Sequence, residues 1–188
     1  MKRVIVLLTA VVFGYSAANA QLKLVTRTGN ATIFSHTPAE DISASNTTVT
    51  GLINATSGDV SVSVPVQGFR FEKSLMQEHF NNAQFMDSKQ FPRIVLKGKI
   101  TNISSIDLSK DGTYNVEISG DLTIKGVTKP VTEKAHIVVA NGQVTVHAKF
   151  SVRDIGSYGV GKPKGSKKDN VANDIEVTYS AVYASENS

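Results

Sequence analysis

The sequence predicts an all-β chain of about eight antiparallel strands and one short helix, arranged as an up-and-down barrel or sandwich. Three observations predict it. After residue 20, apolar residues recur at every second position through most of the chain, the pattern of half-buried strands. Asn141-Gly142 lies between two such stretches and supplies both positive-φ residues of a type I′ hairpin turn. Only Ser74 to Asn81 combines helical spacing with an N-terminal signal.

The chain opens with Lys2 and Arg3, an apolar run from Val4 to Phe13, and Ala18-Asn19-Ala20, a small-x-small cleavage pattern before Gln21. Residues 1–20 therefore read as a signal peptide. The run is shorter than the roughly 18 residues a membrane-spanning helix requires. Removing the first twenty of 188 residues leaves 168, and loss of Lys2 and Arg3 lowers the formal charge from +4 to +2. The basic balance thus belongs partly to the targeting segment and does not point to nucleic acid. Residues 21–188 suffice for one domain with one core, and no linker or repeat divides them.

The first strands are expected over Gln21 to Thr28, Ala31 to His36 and Thr47 to Ala55, with weaker patterning. The next is clear: Val60, Val62, Val64 and Val66 alternate with Ser61, Ser63, Pro65 and Gln67. At Ser74, Ser74-Leu75-Met76-Gln77 reads as a capping box, and Leu75, Met76, His79 and Phe80 give the helix a face to bury. Ile94, Leu96, Gly98 and Ile100 form a further strand face, followed by Tyr114, Val116, Ile118, Gly120, Leu122 and Ile124 in a long strand with Gly120 and Gly126 as bend points. The Asn-Gly turn pairs Ala140 with Gln143, Val138 with Thr145, His136 with His147 and Lys134 with Lys149, leaving Ala135, Ile137, Val139, Val144, Val146, Ala148 and Phe150 on the opposite, apolar face. A last strand spans about Asp174 to Ala184, with Ile175, Val177, Tyr179, Ala181 and Tyr183 on one face.

Composition removes several functions. With no Cys there is no disulfide framework, thiolate metal site or cysteine nucleophile. No G-x-S-x-G elbow or pair of inward carboxylates supports catalysis, so the chain reads as a non-enzyme without cofactor. The segment Gly156 to Lys162 has the glycines of a phosphate loop, but Pro163 stands where a Mg²⁺-binding hydroxyl belongs and no helix follows. Outward positions carry Lys97, Lys99, Glu117, Asp121 and Lys125, which a lipid-facing outer-membrane barrel could not tolerate.

Several segments resemble the YceI-like family of bacterial secreted proteins. Phe71-Glu72-Lys73-Ser74-Leu75-Met76-Gln77-Glu78-His79-Phe80-Asn81, with Phe85-Met86-Asp87-Ser88 and Phe91-Pro92, is similar to the family's helical stretch. Lys97-Gly98-Lys99-Ile100 follows, with Leu96 where the family usually has Phe, and Gly120 to Val131 (GDLTIKGVTKPV) resembles a family element almost letter for letter. Phe150 to Gly156 is a looser match, and residues 21–50 lack the family's aromatic-led opening strand. The resemblance implies an eight-stranded antiparallel lipocalin-like barrel with the helix near its mouth, exported to the periplasm, often dimeric, and in some members holding a polyisoprenoid chain.

On that reading the ligand is apolar, of polyisoprenoid or prenyl-quinone type, and the cavity candidates are Val62, Val64, Phe71, Leu75, Met76, Phe80, Phe85, Leu96, Ile118, Leu122, Ile137, Val146, Phe150 and Tyr179. The aromatic and Met residues from Phe71 to Phe91 either cap a barrel mouth or simply close its end. The same apolar lining would also fill a small solid barrel, which would then act as a structural or stress-response interaction module. His136 and His147 face each other, but Lys134 and Lys149 beside them disfavour a metal. Lys162, Lys164, Lys167 and Lys168 read as a solvated loop near a rim, able to meet a diphosphate or lipid headgroup. Glu133 shares the parity of the inward residues and reads as a rim carboxylate.

Overall fold

In a computed structural model describing residues 23–38, 40–161 and 171–186, the alternating segments form nine strands and one helix. These are β1 (Lys23–His36), β2 (Asp41–Asn54), β3 (Asp59–Pro65), β4 (Arg70–Phe71), α1 (Ser74–Asn81), β5 (Arg93–Ile100), β6 (Gly112–Ile124), β7 (Val127–Ala140), β8 (Gln143–Val152) and β9 (Ile175–Ser185). Short 3₁₀ turns lie at Val66–Gly68, Ile103–Ser105 and Ile155–Tyr158. All pairings are antiparallel. Eight strands run β1-β9-β8-β7-β6-β5-β3-β2, and β2 pairs back onto β1, so the sheet closes into the expected eight-stranded barrel; β4 is a two-residue addition to β2. The proposed signal peptide and the lysines from 162 to 168 lie outside the described residues.

The two expected opening strands are one. β1 is continuous, with register shifts around Gly29 that absorb the break in alternation as a bulge. β2 begins at Asp41, six residues before the expected Thr47, because β1 supplies backbone partners down to His36↔Asp41 even where large apolar residues are absent. Asn46 holds the irregular part of β2. Wholly buried, it donates from Nδ2 to the Pro65 carbonyl at 2.8 Å, and its Oδ1 accepts from the Thr48 amide and hydroxyl.

Gly126 is not a bend within a strand. Lys125 and Gly126 both have positive φ, 48° and 77°, and form a two-residue turn between Ile124 and Val127 with the same handedness as Asn141-Gly142. At Gly120 the ladder runs on without a shift, and the glycine serves a close approach instead: it pairs with Gly98 where β5 and β6 leave neither position room for a Cβ.

α1 spans the expected Ser74–Asn81, yet the capping box does not form. The first helical bond runs from the Gln77 amide to the Lys73 carbonyl, which makes Lys73 the cap and places Ser74 one position too far inside the helix. Gln77 Oε1 instead accepts from the Phe71 amide at 3.2 Å, tying α1 to β4.

The hairpin register of β7 and β8 is as expected from Ala140↔Gln143 through His136↔His147. It ends at Ala135↔Ala148, so Lys134 does not pair with Lys149. Beyond that point β7 continues along β6, with Lys134 opposite Glu117, while β8 continues along β9 to Val152↔Ile175. The two strands part over the upper half of the barrel.

Candidate functional site

One end of the barrel is solid. Val49, Ile53, Val60, Ile100, Ile137, Val139, Val144 and Tyr183 are buried there, with Ile103, Ile106 and Leu108 of the β5–β6 connection packed beneath them. The other end is covered by α1 and its flanking loops, whose Phe80 joins Val66, Met86, Leu122, Ile124, Val152, Tyr158 and Val160 in a second cluster. Between the two clusters lies a cavity of about 330 Å³. That volume sits at the lower end of the ~300–1,000 Å³ range of small-molecule sites and suits a slender or partly inserted ligand.

Inward alternation positions the walls. Val62 and Val64 come from β3, Leu96 from β5, Ile118 and Leu122 from β6, Ile137 from β7, Val146 and Phe150 from β8, and Tyr179 from β9. Phe71 of β4, Met76 and Phe80 of α1, and Phe85 complete the lining from above. Thirteen of the fourteen candidates therefore surround one space. Leu75 does not: it is 62% exposed and touches no part of the cavity. Met76, His79 and Phe80 occupy one narrow stripe at i, i+3 and i+4, and Leu75, about 100° back from Met76, falls on its flank.

The cover is built from aromatic contacts and two lysines. The Phe80 ring packs edge-on to Phe69, with centroids 5.4 Å apart, and against Phe71 at 4.9 Å. Phe69 is fully buried and lines the cavity, though period-2 reading passed over it because it lies between strands. Lys125, at the tip of the β6–β7 turn, donates to the carbonyls of Ala83 (2.9 Å) and Gly159 (2.8 Å), joining the loop after α1 to the loop after the 3₁₀ turn at Ile155–Tyr158. Lys129 donates to Ser157 Oγ and lies 4.9 Å from the Tyr158 ring centre, which draws that same turn against β7.

Polar groups are few. At the floor, the Tyr179 and Tyr183 hydroxyls bond to each other at 2.9 Å. Burial pushes both phenols up from their ordinary value, so both stay protonated. At the mouth, Glu40 pairs with Lys73 at 2.6 Å, and His79 borders the cavity while remaining exposed. Glu133 lines the cavity at the point where β7 and β8 part. Burial raises its carboxyl above the ordinary value, an effect the positive charge of Arg153 partly offsets.

This has a measurable consequence. Glu133 holds its proton more readily in the folded than in the unfolded chain, so it favours the fold at pH below the ordinary carboxylate range and disfavours it as pH rises through the raised folded value. Glu133→Gln is expected to melt higher than wild type at neutral pH. Near pH 3, below the ordinary glutamate value of about 4.3, the two should melt together. A lower melting point for the variant at neutral pH would contradict the assigned burial.

The histidine pair offers no comparable site. His136 and His147 are opposite each other, but both are exposed, and His136 Nδ1 lies 2.7 Å from Asn115 Oδ1 on β6. Among the described residues no three potential metal ligands cluster. No helix among them is long and apolar enough to cross a membrane.

Comparison with known proteins gives a consistent likeness. A model of the YceI-like domain matches residues 16–183. Among curated proteins, Protein YceI of Shigella flexneri is 28% identical over 85 residues, and a UPF0312 protein of Shewanella denitrificans is 30% identical over 81. These matches cover 45% and 43% of the chain but only 40% and 39% of the relatives. Among solved structures, a polyisoprenoid binding domain from Saccharophagus degradans, implicated in plant cell wall breakdown, superposes with a TM-score of 0.72 at 9% identity, covering 88% of this chain and 99% of that one. Burkholderia cenocepacia BcnA follows with a TM-score of 0.67 at 14% identity over 82% and 95% of the two chains. At such identities the structural likeness concerns the fold.

Proposed function

Because the chain belongs to the YceI-like domain family and its barrel encloses an apolar cavity beneath α1, we propose that it binds and sequesters a long apolar ligand of polyisoprenoid or prenyl-quinone type, without catalysis. The observation that carries this reading is the cavity itself. Its walls come from all eight barrel strands, β4 and α1, and are almost wholly aliphatic or aromatic. Water drives an apolar chain into such a space at about 0.8 kcal/mol for each methylene buried, and no covalent step is needed. The solid-barrel alternative finds support only at the floor, where Val49, Val139 and Val144 are buried outside the cavity lining. A polyisoprenoid binding domain among the structural neighbours supports the ligand class by analogy of fold.

Export belongs to the same proposal, supported by the basic head, apolar run and small-x-small pattern of residues 1–20. The protein would then act in the periplasm, holding molecules too insoluble to cross it unaided. Self-association into a dimer is carried over from the family resemblance.

Extraction of the purified protein with organic solvent, followed by mass spectrometry, tests the ligand reading. A prenyl lipid present in stoichiometric rather than trace amount, or saturable uptake of prenyl quinone by the extracted and refolded protein, is the expected result. A protein that emerges empty and takes up no prenyl quinone would refute it.

A further inference from the structure

The cavity wall contains one carboxyl that its apolar surroundings do not explain. Alternation turns Val131, Glu133, Ala135 and Ile137 of β7 inward, and all four line the cavity. Glu40, the other acidic residue there, is neutralised by Lys73 at the mouth. Glu133 has no hydrogen-bond or ion-pair partner among the described residues. Its neighbour on β6 is Ile118. On the other side the β7–β8 ladder has ended one inward position earlier, at Ala135↔Ala148, so the carboxyl stands at the apex of the parting strands. Lys134 reaches the edge of the cavity from the outer face, and Arg153 follows the end of β8; both are exposed, where water screens them.

A half-buried carboxylate without a partner is unfavourable unless something donates to it. We propose that Glu133 is the head-group subsite of the cavity and selects a neutral, hydroxyl-bearing head over an anionic one. This rests on the ligand-holding reading above and narrows its head to one that can donate, a prenyl alcohol or the quinol form rather than the quinone. With the chain lying along the valine and leucine walls of β3 and β5, a hydroxyl at its polar end donates to a Glu133 carboxylate oxygen. A charge-assisted bond of that kind is about twice as strong as a neutral one. A diphosphate in the same place would set like charges together in a medium that screens them poorly. The apex between β7 and β8 supplies room for the head without requiring the apolar wall to open elsewhere.

Equilibrium binding of a prenyl alcohol and of the prenyl diphosphate of equal chain length to wild type, Glu133→Gln and Glu133→Leu tests the assignment. Wild type should prefer the alcohol. Gln still accepts a hydrogen bond but carries no charge, so E133Q should hold the alcohol within about threefold of wild type while binding the diphosphate roughly tenfold more tightly. Leu removes both partner and charge, so E133L should weaken the alcohol about tenfold and also tighten the diphosphate. Opposite shifts for the two probes in E133L exclude a merely structural role for the residue. If both probes bind and their ratio is the same in all three proteins, Glu133 does not select the head, although the ligand-holding reading survives. If wild type binds neither probe, that reading falls and this assignment with it.

Discussion

Gly120→Ala is expected to be among the most destabilising small substitutions available in this chain, lowering stability by about 3 kcal/mol or more, and the melting temperature by roughly 6–12 °C. A Cβ built at Gly120 overlaps the carbonyl oxygen of Lys97 and the Cα of Gly98, both backbone atoms of the facing strand. No rotamer change can relieve such an overlap, so β5 and β6 would have to move apart. The reciprocal substitution, Gly98→Ala, places its Cβ 2.5 Å from the Ser119 carbonyl oxygen and should have a similar effect. Because the two glycines face each other, their effects should not add: once the strands have separated to admit one methyl, the second costs less. Gly142→Ala is the control. Nothing lies within 4 Å of a Cβ there, so the only penalty is the positive φ of 74°, on the order of 1 kcal/mol. Thermal melts of the three single variants and the double variant decide the matter. If Gly120→Ala melts no lower than Gly142→Ala, the close approach of β5 and β6 is not present in solution.

The second large effect concerns binding. Val62 of β3 is only partly buried because its side chain borders the cavity, so Val62→Trp puts an indole into the space the ligand would occupy. Losing room for even two methylenes removes about 1.6 kcal/mol, or more than tenfold in affinity. Stability should not fall in step, since filling a void adds contacts that the wild type lacks. The expected pattern is a ten-fold or greater loss of prenyl-quinone affinity, with a melting temperature within a few degrees of wild type. The chain has no native Trp, so the new indole also reports directly on ligand by quenching. Undiminished affinity would place the ligand somewhere other than this cavity.

How far the site was readable depends on which residues are considered. Val62, Val64, Leu96, Ile118, Leu122, Ile137 and Val146 lie on regular strands, and period-2 alternation alone puts them on one face. The same parity singled out Glu133 as inward-facing. Helical periodicity is broader, and over eight residues it could not separate Leu75 on the flank from Met76 on the stripe. Phe69 gave no periodic signal at all. The turn at Lys125-Gly126 carries little local signal, because lysine is a poor turn residue in isolation. Its place is stabilised by carbonyls of Ala83 and Gly159, more than thirty residues away in the chain.

What the sequence determined by itself is therefore local: the strands from β3 onward that alternate cleanly, which face of each is apolar, the register of the Asn141-Gly142 hairpin near its turn, and, through the resemblance, the family. Each follows from interactions among residues close along the chain or from the two-fold pleat of a single strand. Only the tertiary structure decided that β1 and β2 pair continuously to close the barrel, that β7 and β8 part above Ala135, and that the interior is solid at one end and hollow at the other. The physical reason is that a void is a property of opposing walls. Its volume depends on how far apart closure, bulges and the glycine contact of β5 and β6 hold those walls, and no periodicity within one strand encodes the distance to the strand across from it.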